Sequence, residues 1–156
     1  MSEAAAAEKN QPVFNVEKIY VRDLSLEIPH APKIFLSRES PQVDIQLHTQ
    51  AASIEEGLFE VLVKATVTAK VGENTMFLVE VEEAGIFQVR NVPTEELEPI
   101  LAVMCPNILF PYLREVVSDV VVRGGFSPVL LNPVNFDSIY QQQKQQPQPG
   151  TAPATH

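Results

Sequence analysis

Residues 59–82 read FEVLVKATVTAKVGENTMFLVEVE, and this stretch decides the fold. Phe59, Val61, Val63, Ala65, Val67 and Ala69 alternate with Glu60, Leu62, Lys64, Thr66, Thr68 and Lys70, a period of two rich in β-branched side chains. Successive side chains of a strand point to opposite faces, so one set turns to a core and the other to water. V-G-E-N-T at 71–75 then reverses the chain. Phe77, Val79 and Val81 return against Leu78, Glu80 and Glu82. The stretch is a β-hairpin.

Upstream of the hairpin the same period recurs. Val43, Ile45, Leu47 and Thr49 alternate with Asp44, Gln46 and His48, giving a third strand. Residues 19–29, IYVRDLSLEIP, give a fourth, with Leu24, Leu26 and Ile28 on one face and Asp23, Ser25 and Glu27 on the other. Ile19 and Val21 stand in the opposite phase, so a bulge is expected near Arg22–Asp23. Between these strands, residues 30–41, HAPKIFLSRESP, are too proline-rich for a helix and show Ile34, Phe35 and Leu36 as exposed.

Downstream the pattern turns helical. Thr94 with Glu95 to Glu98 opens a short helix. A long one is expected from an N-cap at Asn107, with Pro111 in its first turn, where no backbone N–H is required, and Gly124–Gly125 as its stop. A last helix begins at Asn135, with Phe136, Ile139 and Tyr140 on one side. Strands followed by helices predict an α+β fold, an antiparallel sheet with the long helix and the C-terminal helix packed on one face. The long helix carries more apolar surface than one sheet can cover: Phe110, Leu113, Val117, Val120 and Val121 on one side, with Leu109, Val116 and Val122 widening the arc. A second copy of the chain would cover the remainder, or else the chain's own arms and last helix would.

The 156 residues carry a formal net charge of −9 and are 45% apolar, as expected of one globular domain. Outside residues 13–140 the only acids are Glu3 and Glu8 and the only bases Lys9 and Lys144, so the folded body holds the whole imbalance. Residues 1–12 and the Gln/Pro-rich 141–156 are expected to be disordered. The acidity argues against nucleic acid and for a basic partner. A single cysteine, no secretory leader, and no run near the roughly 20 apolar residues of a membrane span point to the cytoplasm.

Reactive groups do not converge. His30, His48 and His156 lack metal-site spacing, and there is no glycine-rich phosphate loop. The pairs Glu55–Glu56, Glu82–Glu83 and Glu95–Glu96 read as solvated turns or caps. Cys105, beside Pro106, is the one nucleophile to weigh, and a buried structural thiol is the commoner case. Two surfaces remain: an acidic sheet face with Asp23, Glu27, Glu60, Glu80 and Glu82, and apolar groups in the 30–41 loop and on the last helix that could flank a groove.

The strings CPNILFPYLRE (105–115), NPVNFD (132–137), AGIFQV (84–89) and IYVRDLSLEIPHAPKIF (19–35) resemble the SecB family of bacterial export chaperones, in order and across residues 14–140. The resemblance implies a homotetramer, a dimer of dimers, in which each subunit has a four-stranded antiparallel sheet and the helices lie between the sheets. It implies a holdase that binds unfolded preproteins without ATP or cofactor, does not insert into the membrane, and delivers its clients to the motor SecA. SecA's basic, zinc-bearing segment would dock on Asp23, Glu27, Leu78 and Glu80. The client groove would comprise Phe35, Leu36, Val43, Ile45, Leu47, Phe136, Ile139 and Tyr140. An enzyme using Cys105, and an acidic assembly protein indifferent to unfolded chains, are the competing classes.

Overall fold

A computed structural model describes residues 10–145, so the expectations for 1–9 and 146–156 lie outside the described residues. Four strands, β1 (Val13–Glu27), β2 (Gln42–Glu55), β3 (Leu58–Val71) and β4 (Asn74–Arg90), form one antiparallel sheet in the order β1-β4-β3-β2. The 59–82 hairpin is β3–β4, paired from Val71 opposite Asn74 to Leu58 opposite Gln88, with a register shift between Ala69 and Lys70 that leaves Met76 as the extra residue. The strands run further than the alternation showed: β1 begins at Val13, β2 continues to Glu55 and β4 to Arg90. β2 and β1 are the two edges.

β1 has two register shifts against β4, one at Glu17 and one where the phase switch placed it. Val21 pairs with Glu83 and Asp23 with Glu82, leaving Arg22 as the extra residue. Ile19, Val21, Leu24 and Leu26 thereby share one face, opposite Gly85, Glu83, Val81 and Val79. That face carries the core: Val61, Val63, Ala65, Val67, Val79, Val81 and Phe87 are fully buried.

The helical part departs from the expectation at its start. α1 (Thr94–Pro99) runs through a π-turn (Ile100–Met104) directly into α2 (Cys105–Arg123), so Asn107 is not a cap and Pro111 is interior. In the π-turn the Cys105 N–H bonds the Ile100 carbonyl, five residues back. This wider turn immediately precedes Pro106, whose ring would otherwise crowd the carbonyl one turn back. Pro106 therefore marks a widened turn within one long helix rather than its beginning.

Leu109, Leu113, Val117, Val120 and Val121 of α2 are buried against β3 and β4. The helix can lie close to β4 because Gly85 has no side chain: a Cβ there would come 2.8 Å from Phe87 and 3.1 Å from Leu109. Truncating a fully buried leucine such as Leu113 costs ~2–5 kcal/mol. Thr94–Arg123 spans 30 residues and, by length and composition, is long and apolar enough to cross a membrane, a match hidden while its two parts read as separate helices. Here it lies along the sheet, with 33% of its most apolar window buried.

The helix ends as the two glycines indicated. The Phe126 N–H bonds the Val121 carbonyl and the Gly125 N–H bonds that of Val122, with Gly125 at φ 91°, a Schellman cap. α3 (Phe136–Gln145) is capped by Asn135, whose Oδ1 accepts from the Ser138 N–H at 3.0 Å, and it runs five residues beyond Tyr140.

Candidate functional site

The outer face of the sheet, away from the helices, collects the acidic residues. Across β1 and β4, Asp23 stands opposite Glu82, Ser25 opposite Glu80 and Glu27 opposite Leu78. Antiparallel partners lie roughly 4.5–5.5 Å apart, so Asp23, Glu27, Leu78 and Glu80 form one compact block. Asp23 and Glu27 are exposed, and Leu78 and Glu80 are half-buried. Among the described residues none of these three acids has an ion pair or side-chain hydrogen bond. The block ends at β3, where Thr68, Thr66 and Lys64 stand opposite Leu78, Glu80 and Glu82.

Glu60, grouped with these acids by alternation, is already engaged. Tyr20 donates a short hydrogen bond to it, and Arg22, the bulge residue, pairs with it at 2.8 Å. Burial, with the Glu60 hydrogen bond and charge adding to it, pushes the Tyr20 hydroxyl up to about 12. Glu60 therefore adds little free negative charge.

The apolar groove residues fall into two groups. On the helix side of edge strand β2, Val43, Ile45 and Leu47 stand opposite Ala69, Val67 and Ala65. α2 packs over β3 and β4 and leaves this strip open, with Val43 43% and Ile45 40% exposed. At one end of the strip Phe35 stacks on Phe126 at 5.1 Å beside a depression of about 400 Å³ that includes Val43, Phe77 and Val129. Leu36 projects from the same 3₁₀ turn and is 81% exposed. Ile34, expected to be exposed, is instead buried, because the turn Lys33–Leu36 directs it into the core.

Phe136, Ile139 and Tyr140 lie elsewhere. Phe136 packs edge-on against Phe110 at 5.8 Å, and α3 rests on the π-turn. Phe126 lies sixteen residues beyond Phe110, past the end of α2, so the two clusters are separated by roughly 20 Å of helix. Phe136 and Tyr140 are buried and Ile139 is half-buried, so they fasten the last helix rather than line an open surface. The far end of the β2 strip is bordered by α1 and the π-turn instead: Leu97 of α1 and Leu101 of the π-turn face Thr49 and Ala51 across a depression of about 360 Å³. Proximity of the π-turn to β2 is a tertiary fact with no signature in local periodicity.

Two further groups bear on chemistry. Cys105 is fully buried, and burial pushes its thiol up to about 12, which disfavours the thiolate that nucleophilic work requires. Glu83 is not a solvated acid: it is 3% exposed on the core side of β4. Among the described residues no cluster of three or more His, Cys, Asp or Glu side chains could hold a metal ion.

Comparison with known proteins agrees with this architecture. The profile of the SecB family, preprotein translocase subunit SecB, matches residues 7–147. The protein-export protein SecB of Methylobacillus flagellatus is 60% identical over 99% of this chain and 98% of its own. That of Nitrosospira multiformis is 58% identical over 95% and 93%. Among solved structures, a Mycobacterium tuberculosis SecB-like chaperone, in complex with a ChAD peptide from an antitoxin, superposes with a TM-score of 0.65 at 18% identity, covering 83% of this chain and 95% of that one. With a four-stranded antiparallel sheet, a family profile over nearly the whole chain and this extent of sequence identity, the chain belongs to the SecB family of preprotein-export chaperones, which are not enzymes.

Proposed function

We propose that four copies of this chain assemble as a dimer of dimers in the cytoplasm, hold non-native preproteins without ATP, and present them to SecA. The observation that carries the client site is the uncovered helix-side strip of β2, where Val43, Ile45 and Leu47 line an edge strand between Phe35 and the junction of α1 with the π-turn. An extended chain lying there would bury apolar side chains and find unpaired backbone groups on the strand edge, a mode that tolerates many sequences. A SecB-like chaperone of the same fold has been solved holding a peptide. Phe35 and Leu36 bound this strip at one end, whereas Phe136, Ile139 and Tyr140 fasten α3 near the π-turn.

Assembly is supported by what a single chain leaves uncovered. Met104, Tyr112 and Val122 on the helices and Val16, Val21 and Leu24 on β1 are each 42–50% exposed. The SecA contact is supported by the unpaired acids Asp23, Glu27 and Glu80 around Leu78, a charged rim with an apolar centre suited to a basic segment. The test is light scattering after size exclusion, with a slow-folding preprotein diluted from denaturant and no nucleotide. The expected mass is four chains, rising by one client, and unchanged by the same client once folded. A monomer, or indifference to the unfolded client, would overturn the proposal.

A further inference from the structure

Glu83 is the one charged side chain enclosed in the core of the described residues. It follows Phe77, Val79 and Val81 in the apolar phase of β4 and stands between Val21 of β1 and Val63 of β3. Its Oε2 meets no hydrogen-bond donor among the described residues. The charge that acts on it is another carboxylate, Glu115 of α2. Val21 and Val63 bring no charge, and Arg22 and Lys64 belong to the opposite face, Arg22 bonded to Glu60 and Lys64 opposite Glu82. On α2, Asp119 lies one turn beyond Glu115 and is tied to Arg123 at 2.8 Å, Tyr112 lies one turn before it, and Arg114 projects about 100° round the axis. Burial, and then the charge of Glu115, push the Glu83 carboxyl up to about 7.

Glu115 shares its side of α2 with Tyr112, Asp119 and Val122, the side that a single chain leaves in water. Covering that side removes the solvent that screens Glu115 from Glu83, and the repulsion between two carboxylates grows as water leaves. One bound proton abolishes it. We propose that Glu83 and Glu115 together hold one proton in the assembled chaperone, and that closing this face of α2 against a second copy takes the proton up. The inference rests on the four-copy assembly proposed above, and its consequence is an assembly that tightens as pH falls through neutrality and loosens as pH rises.

Sedimentation or light scattering across dilution, at pH 6 to 8, tests it on the full chain and on Glu83→Gln. The wild-type dissociation constant between copies should rise with pH, by up to about tenfold per unit for each proton taken up. Glu83→Gln should assemble tightly with a much flatter pH dependence; any contribution of His30 or His48 persists in the variant, so the difference isolates Glu83. An identical slope in the variant, or a flat wild type that assembles normally, overturns the proton linkage alone. Failure of the wild type to assemble at any pH overturns the assembly as well. Carbon-13 titration of the Glu83 carboxyl in the assembled wild type is an independent readout. A midpoint near neutrality supports the proposal, and one in the ordinary carboxylate range overturns it.

Discussion

Glu27 and Leu78 are direct cross-strand partners on the outer face of β1 and β4. An acid and an aliphatic side chain are thereby held within one contact of each other, with Glu80 and Asp23 on the same face. Reversing charge at Asp23, Glu27 or Glu80 to lysine should weaken binding of SecA's basic segment by about tenfold, mainly through the association rate, with the loss shrinking at high salt. Calorimetry and stopped-flow mixing at two salt concentrations read this out; unchanged affinity in all three variants would remove the acidic block from the contact.

The β2 strip can be tested with a built-in control. Ile45→Asp places a charge on the helix side of the edge strand, whereas Gln46→Asp places it one residue away on the outer face. Ile45→Asp should lose most of its ability to suppress aggregation of a diluted preprotein, and Gln46→Asp should keep it, with both folded by circular dichroism. Equal activity in the two would exclude this strip.

Gly125→Ala joins stability to the same surface. At φ 91° an alanine costs about 1–2 kcal/mol, and its Cβ would come 3.1 Å from the Phe35 ring. The expected result is a lower urea midpoint together with weakened client capture, since the aromatic end of the strip must shift.

Glu83 also predicts a pH dependence of folding, distinct from that of assembly. Its folded value of about 7 exceeds the ordinary 4.5, so between these values the folded state binds more proton and stability falls as pH rises. At pH 8 Glu83→Gln should be more stable than wild type, on the order of 1–3 kcal/mol, and the gap should close toward pH 5. Urea unfolding at fixed protein concentration measures both.

Cys105→Ser separates a holder of clients from a thiol enzyme. The buried hydroxyl should cost about 1–3 kcal/mol of stability while client holding persists. Loss of holding in a folded Cys105→Ser protein would show that client binding depends on the packing around this thiol.

The strands, their facing sets and the β1 bulge were legible because a period of two leaves a direct record in the chain, and a phase switch between Val21 and Leu24 admits one explanation. The acidic block followed from the same record. Glu83 was also recorded there, in phase with Phe77, Val79 and Val81, but was obscured by the habit of reading adjacent glutamates as solvated. The helix start was not legible, because proline signals a beginning unless a π-turn accommodates it, and nothing local announces that turn. Whether Ile34, Phe136 or Tyr140 faces a client or the core depends on what packs over them, which periodicity does not contain.

The alternation of β2 has a geometric corollary. Asp44, Gln46 and His48 face outward with the acidic block, while Val43, Ile45 and Leu47 face the helices, so consecutive residues serve opposite sides of a sheet one strand layer thick. A cargo seated on one side and a motor docked on the other would share no atoms and exclude no volume from each other. With cargo and motor at the two proposed sites, a ternary intermediate would be sterically permitted, and release of cargo would not need to begin with displacement by the motor.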